Sequence, residues 1–513
     1  KIQEEVLKSL GNVKIQFDLI PEADQDTKMS VALSSGEMSD ISIFIGSGSS
    51  IVTTYGGTGN LLDFSEYLEY MPNYVEQEKQ YPYAFEKLGD KRLVINPINR
   101  LARHTVGPVV NTYWLNKLGI KVPTANDPFP WTIDDMMDAM RQVKKAKPDI
   151  WSTLCSFFQG SRYLINLSQC YLGQWRAESI SSQSIVAVYD YQDTKKWYYP
   201  LFTDAFRDMI QLTATMYKEG LIPQDYVSDT MEKHQANLLG TVDQWFISWD
   251  FASFGLDAIT AMKEMDPSAG AILALPPTTK YQKNPMVATN MAQGAPFNFS
   301  IVVNSKTKYP ELACSVLDHL ISDKVNDLMN WGFEGETYKV VGEGKGFMSA
   351  TDKEFLTDKY YFISEIPSKP ELLDIKKQLG LQYDQMRRMF SHAAATAEGQ
   401  VAQFAVALQV VPKQMGVDFT TENNYVCLSD NYDYVAKNPS HCTSYILPPS
   451  ISEEEGKIIG EIYTELNNVV KSNLDKFTTG ARPMSEWDDF IKEVKAAGDP
   501  QVICDIYNSK EIR

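Results

Sequence analysis

The sequence predicts an α/β protein of more than one lobe whose last third is helical. Three observations lead there. The chain has 513 residues, against about 100–200 for a typical domain, which implies roughly two to four folding units. Strand-like and helix-like patterns alternate through the first two thirds, an α/β signature. From about Asp352 onward the strand patterns nearly vanish.

Taken in order, the opening KIQEEVLKSLGN reads as the end of a helix stopped by Gly11, with an alternating strand at Val13–Ile20 behind it. Helical apolar spacing covers Asp26 to Ser35, and Ile41–Ile45 is a short strand. Gly46-Ser47-Gly48-Ser49-Ser50 reads as the loop at its end. Open α/β sheets bind ligands beyond the carboxyl ends of their strands, where bare N–H groups and small side chains allow close approach. That makes this loop a candidate ligand contact.

Helical patterns recur at Ser65–Tyr70, Tyr74–Leu88, Thr132–Ala146, Thr203–Glu219, Asp229–Leu239 and Tyr309–Ser322. Strand-like runs lie between them at Arg92–Ile95, Val106–Val110, Ile185–Tyr189, Val242–Ser248, Ala271–Leu275 and Asn298–Val303. The helical last third is carried by Tyr383–Val411, Glu453–Leu474 and Ser485–Ala497. No internal repeat and no low-complexity segment interrupts this order.

Composition narrows the function. With 43% hydrophobic and 22% charged residues the chain has ordinary globular usage. A net charge of −18 repels phosphate backbones and anionic bilayers, so nucleic acid is not an expected partner. No apolar run reaches the ~18–20 residues of a membrane-spanning helix. The six cysteines contain no C-x-x-C pair, which argues against structural zinc. Cys427 and Cys442 flank one Asn/Tyr-rich stretch and would suit a bridge in an exported chain; buried free thiols are the plainer reading.

Signatures of catalysis and cofactor binding are missing. None of the five histidines pairs with another at i, i+4, and there is no G-x-S-x-G elbow. Gly342-Glu343-Gly344-Lys345-Gly346 lacks the Ser or Thr that would hold magnesium after the lysine of a phosphate loop. No cofactor and no metal is expected. A pair of glycosidase carboxylates would be invisible among 66 acidic residues.

What stands out is the aromatic content, 12% of the chain. Flat rings beside carboxylates and amides suit sugars, whose C–H faces are apolar and whose hydroxyls need fixed hydrogen-bond partners. Trp245 and Trp249 bracket a strand end in VDQWFISWDF, and Trp331 precedes Gly332-Phe333-Glu334-Gly335. Core packing is the competing reading for each ring.

Read in order, several segments resemble the extracytoplasmic solute-binding proteins of ABC importers, specifically the large carbohydrate-binding branch typical of Gram-positive bacteria. KMSVALSSGEMSDISIF is similar to that family's helix-turn-strand, GNLLDFSEYLEYMPNY to the segment after it, and TYWLNKLGIKVP to its hinge-proximal helix. Asn111 and Thr112 replace the charged residues usual before that helix. GLIPQDYV, KYPELACSVLDHLISDK, WGFEGETYKV and FTTGARPMSEWDDFIKEVKAAG complete the series in family order.

The resemblance implies a two-lobed, periplasmic-binding-protein-like (type II) clamp with mixed sheets and an extra helical C-terminal region. It divides the chain into an N-terminal lobe, 1–112 plus about 296–345, and a C-terminal lobe, 113–295 plus about 346–513. The hinge crossings are expected near 107–113 and 288–298. It implies a monomeric, non-catalytic receptor held at the outer face of the cytoplasmic membrane by an N-terminal lipid anchor outside this sequence, delivering an oligosaccharide to a permease. A peptide or other polar solute is the alternative ligand, a glycoside hydrolase the alternative class, and a static surface adhesin a third. Where some relatives carry a calcium loop, this chain reads KKAKPDIWS, so no calcium is expected there.

Candidate contacts follow. Ser47, Gly48 and Tyr55 are expected to line the cleft from the first lobe, and Arg162 and Tyr163 from the second. Asn298 is expected where the chain recrosses near the hinge, with Trp331 and Glu334 beyond it. Trp249 is expected just past the end of the strand Thr241–Ser248, stacked on a sugar ring, with Asp250 accepting from hydroxyls. Trp245 is expected on the opposite sheet face, in the core.

Overall fold

In the computed structural model the described residues fall mainly within 24–80, 87–95, 105–156, 162–174, 185–251, 265–289, 299–322, 434–443 and 448–511, with short strands at 98–99, 295–296, 338–340 and 360–362. Along the chain the helices and strands are α1 (Gln25–Ser35), β1 (Ile41–Ile45), α2 (Gly48–Tyr55), α3 (Pro72–Gln80), β2 (Ile98–Asn99), β3 (Thr105–Asn111), α4 (Thr112–Leu118), α5 (Ile133–Ala146), β4 (Ser152–Cys155) and α6 (Arg162–Leu172). Next come β5 (Val188–Tyr189), β6 (Trp197–Tyr198), α7 (Asp204–Lys218), α8 (Met231–Leu239), β7 (Trp245–Phe251), β8 (Ala271–Leu273), β9 (Ala288–Thr289), β10 (Ala295–Pro296), β11 (Phe299–Val303) and α9 (Pro310–Leu320). The last are β12 (Tyr338–Val340), β13 (Tyr360–Phe362), α10 (Glu453–Val470), α11 (Asn473–Thr479), α12 (Trp487–Ala497) and α13 (Pro500–Asn508).

One lobe is built on the antiparallel pair β1–β11, in register from Ile41↔Val303 to Ile45↔Phe299. α3, α9 and a 3₁₀ turn at Phe64–Tyr70 cover it, burying Phe64, Met71, Tyr74, Ile301, Val303, Cys314 and Leu317 together. Asp318 of α9 locks α3 in place: its carboxylate accepts from the Tyr74 N–H and from Asn73 Nδ2, each at 2.8 Å. Gly36 ends α1 with φ +71°, a left-handed conformation that favours glycine.

The other lobe carries a mixed sheet in the order β4-β7-β3-β8, with β9 also paired to β3. β4 and β7 run parallel and the remaining pairs antiparallel. Helices α5 and α7 each bury an apolar stripe, Met136, Met140 and Val143 in one and Phe206, Met209, Ile210 and Met216 in the other. Asn111 explains how β3 turns into α4. Its Oδ1 caps Tyr113 N–H while its Nδ2 donates to the carbonyls of Val242 and Trp245.

Four helices, α10 to α13, form the C-terminal annex. Phe477, Trp487 and Phe490 pack with Phe206 of α7, and the Arg482 guanidinium lies over Phe477 and Phe490 while bonding Glu493 with two nitrogens. Asn467 and Tyr463 of α10 accept from the backbone N–H groups of Ile185 and Ala187, and Asn508 of α13 exchanges two bonds with Trp197 of β6.

α10 also reaches the first lobe. Ile451, just before it, bridges Leu88; Gly89 N–H donates to the Ile451 carbonyl; Lys91 pairs with Glu453. The two sides of the helix differ in chemistry. Gly456, Ile459, Leu466 and Val470 are buried, whereas Lys457, Gly460, Glu461 and Thr464 line an open groove of about 760 Å³ shared with Val52, Thr54 and Thr58. Ile451 and α10 thus contact both the Leu88–Lys91 turn and the Ile185–Ala187 segment.

Several sequence expectations shift. The described residues of Val13–Ile20 form no strand, and Leu19 and Ile20 are exposed; alternation without a partner strand does not make one. Arg92–Ile95 contributes a single isolated bridge, Ile95 to Ile301, in place of a strand. β4 is not marked in the sequence; all four of its residues are buried, so it has no alternation to read. The crossing expected near 107–113 falls inside β3, which is hydrogen-bonded on both sides to strands of its own sheet. Tyr383–Val411 lies outside the described residues.

Candidate ligand cleft between the lobes

Two strand ends point to one place. The carboxyl end of β1, Ile45, pairs with Phe299, three residues after Pro296 of β10. The carboxyl end of β7, Phe251, pairs with Val106, seven residues after Asn99 of β2. β2 and β10 themselves pair as a two-stranded ribbon between the sheets. Chain spans of three and seven residues reach no more than about 11 and 25 Å. Both strand ends therefore lie beside the same ribbon, and open α/β sheets take ligands beyond the carboxyl ends of their strands.

On the second-lobe side, α6 is fixed to the sheet by buried amides. Asn166 Nδ2 donates to the Trp249 carbonyl at 2.6 Å. Trp249 Nε1 donates to Gln169 Oε1 at 2.6 Å, and Gln169 Nε2 donates to the carbonyls of Val106 and Met286 at 3.2 and 3.1 Å. Ser168 Oγ and Gln174 close the other end of the helix through the Gln174 and Tyr189 carbonyls. Buried amides with satisfied partners specify one arrangement of the elements they join. Here they hold the first turn of α6, with Arg162 and Tyr163, next to the end of β7, with Asp250.

Arg162 and Tyr163 stand at the start of α6, about one turn before Asn166, and Asp250 follows Trp249 in β7. Gly48 opens α2 and is helical, which corrects the loop expectation at 48–50. Tyr55 closes the same helix, about 10 Å further along its axis; it is half-buried against the main core and its hydroxyl donates to Ser30 Oγ of α1 at 3.3 Å. Ser47, Asn298, Trp331 and Glu334 lie outside the described residues.

Trp249 is corrected. β7 runs to Phe251, three residues past the expected end, because Val106 and Gly107 continue the ladder there. Its start is later too, since Asp243 and Gln244 are taken up by Lys147 Nζ and the Trp151 N–H. Trp249 is 0% exposed, as is Trp245. Four residues are two full strand periods, so alternation does not put the two rings on opposite faces. They differ in neighbours: Trp245 packs with Leu238, Met262 and Leu273, and Trp249 belongs to the main core.

Asn166 and Gln169 went unnoticed in the sequence. The available signal was an i, i+3 pair of amides within the mainly apolar stretch LINLSQCYL. In the segment KKAKPDIWS, Lys147 pairs with Asp243 at 2.9 Å. Among the described residues no group of three or more His, Cys, Asp or Glu side chains converges as metal ligands do, and no helix is long and apolar enough to cross a membrane.

No family model matches the chain, and no curated protein matches it. Solved structures do. The alginate-binding protein AlgQ2, crystallised without calcium ion, superposes with a TM-score of 0.69 at 16% identity, over 99% of this chain and 93% of that one. The Streptococcus pneumoniae ABC-transporter substrate-binding protein FusA, in complex with kestose, gives 0.63 at 14% identity, over 99% and 95%. An extracellular solute-binding protein of Bifidobacterium longum subsp. infantis gives 0.59 at 15%, again over 99% and 95%. The chain has the two-lobed fold of these solute-binding proteins along its whole length.

Proposed function

We propose that this protein is the extracytoplasmic substrate-binding component of an ABC importer, a non-catalytic receptor that captures an oligosaccharide between its lobes and delivers it to a permease. The observation that carries the reading is the full-length likeness to an alginate-binding protein and to a substrate-binding protein solved with kestose, joined to two strand ends that meet at one inter-lobe ribbon. Capture works through lobe closure: a ligand that touches both lobes only when they are closed shifts the population toward that state. Lipid anchoring, a Gram-positive source, an extracellular position and a monomeric state belong to the same proposal, as does the division into lobes that turn about the ribbon.

A panel of plant, host and microbial oligosaccharides, tested by thermal shift beside a peptide panel, tests it. At 100 times its dissociation constant a ligand adds about 2.7 kcal/mol of stability. Stabilisation by glycans alone supports the reading. Stabilisation by peptides alone, or release of reducing sugar from a polysaccharide, overturns it.

A further inference from the structure

Two helices of the C-terminal annex, α10 and α13, leave an apolar seam open to solvent between them. Glu455 of α10 pairs at 2.6 Å with Lys510, in the turn that continues α13, where the Lys510 N–H donates to the Tyr507 carbonyl. At the other end a Cβ on Gly498, just before α13, would lie 3.5 Å from Ile462 Cγ2. The helices therefore run antiparallel, and the sides that carry these contacts face each other. Ile458 and Ile462 follow Glu455 by three and seven residues and share its side of α10; Val502 and Ile506 precede Lys510 by eight and four and share its side of α13. At about 1.5 Å per residue, Ile458 stands level with Ile506 and Ile462 with Val502, to within about 2 Å. Ile462 and Ile506 are half-buried and form the floor, while Ile458 and Val502, each 39% exposed, form the two walls.

Negative charge rings the seam. Glu454 and Glu461 lie one turn to either side of Ile458, Glu465 one turn beyond Ile462, and Asp505 one turn beyond Val502. All four are exposed, and among the described residues none is paired with a basic side chain. The nearby lysines are engaged elsewhere: Lys91 pairs with Glu453, Lys510 with Glu455, and Lys457 lines the groove on the other side of α10. We propose that this seam docks a basic amphipathic helix of a partner protein. Two antiparallel helices with an apolar floor present a groove that receives the apolar i, i+3, i+4, i+7 face of a third helix, and the four carboxylates meet lysines or arginines on its flanks. A second copy of this chain does not suit the seam, because a net charge of −18 and the same acidic rim would face each other across a two-fold axis. An anionic bilayer is repelled for the same reason. The seam lies on the annex, and its occupant does not depend on what the cleft between the lobes binds.

Fluorescence anisotropy of the full chain with a labelled leucine–lysine peptide, about 18 residues long with its leucines on one helical face, tests this. A peptide of the same composition in scrambled order carries the same charge without the apolar face. The amphipathic peptide should bind more tightly than the scrambled one by about tenfold or more, and added salt should weaken it. Ile458→Gln combined with Val502→Gln, both at exposed positions that leave the core intact, should lower that affinity by about tenfold. Glu454→Gln combined with Glu461→Gln should lower it by about threefold. Leu312→Gln, at an exposed apolar residue of α9 beside Glu311, should leave it unchanged. Equal binding of the two peptides, wild-type affinity in the Ile458/Val502 variant, or an equal loss in Leu312→Gln overturns the proposal. So does self-association of the chain in sedimentation, or binding to phosphatidylcholine vesicles, that the Ile458/Val502 variant abolishes, since either gives the seam a different occupant.

Discussion

Trp249 and Gln169 are bonded indole to amide at 2.6 Å, both completely buried. The ring that looked best suited to stack on a sugar is therefore a core residue tied to α6. Trp249→Ala should cost about 3–5 kcal/mol of stability, as loss of a large buried ring does. Trp245→Ala should cost a similar amount. Urea unfolding checks both, and a Trp249→Ala protein as stable as wild type would return the ring to the cleft.

Two glycines separate backbone conformation from close packing. Gly36 and Gly119 both have positive φ, but a Cβ at Gly36 would meet Asn60 Oδ1 at 2.6 Å while at Gly119 nothing lies within 4 Å. Gly119→Ala should cost about 1–2 kcal/mol from the left-handed conformation alone. Gly36→Ala should cost more, because Asn60 Nδ2, which donates to the Leu33 and Ser34 carbonyls, must move as well. Equal losses in denaturant melts would contradict this.

The start of α10 depends on a capping box. Ser452 Oγ accepts from Glu455 N–H, the Glu455 carboxylate accepts from Ser452 N–H, and Lys510 pairs with Glu455 at 2.6 Å. Ser452→Ala should cost about 1 kcal/mol. Amide exchange should quicken in the first turn of α10 before the rest of the helix, and uniform quickening along the helix would argue against a local cap.

Acid should weaken the segment that zips onto Val287. Burial pushes His441 below its ordinary 6.5, and its Nδ1 lies 2.7 Å from the Tyr434 hydroxyl. A histidine with a depressed folded-state pKa binds its proton more readily when unfolded, so its contribution is fully present above about 6.5 and is lost as the pH falls toward the folded value. Stability measured from pH 8 to pH 5 should fall less in His441→Asn than in wild type over that window. Parallel curves would remove His441 from the explanation.

The long periodic helices were legible because their apolar stripes are wide: Ile133–Ala146, Asp204–Lys218 and Pro310–Leu320 follow the sequence reading within a residue or two. β1 was legible because it is bounded by turn residues. The end of β7 was not, since its last residues are held by β3, more than a hundred positions away in the chain. The same long-range pairing turned Trp249 from surface to core. Asn166 and Gln169 were hidden for a related reason, because a polar residue on a helix shows its burial only once the strands that receive its bonds are in place.

Isothermal titration paired with small-angle scattering on the same glycan panel tests capture of an oligosaccharide by closure of two lobes. At least one oligosaccharide should bind with one-to-one stoichiometry and reduce the radius of gyration of the full chain. Binding of no glycan, or binding that leaves the molecule as extended as before, would contradict it.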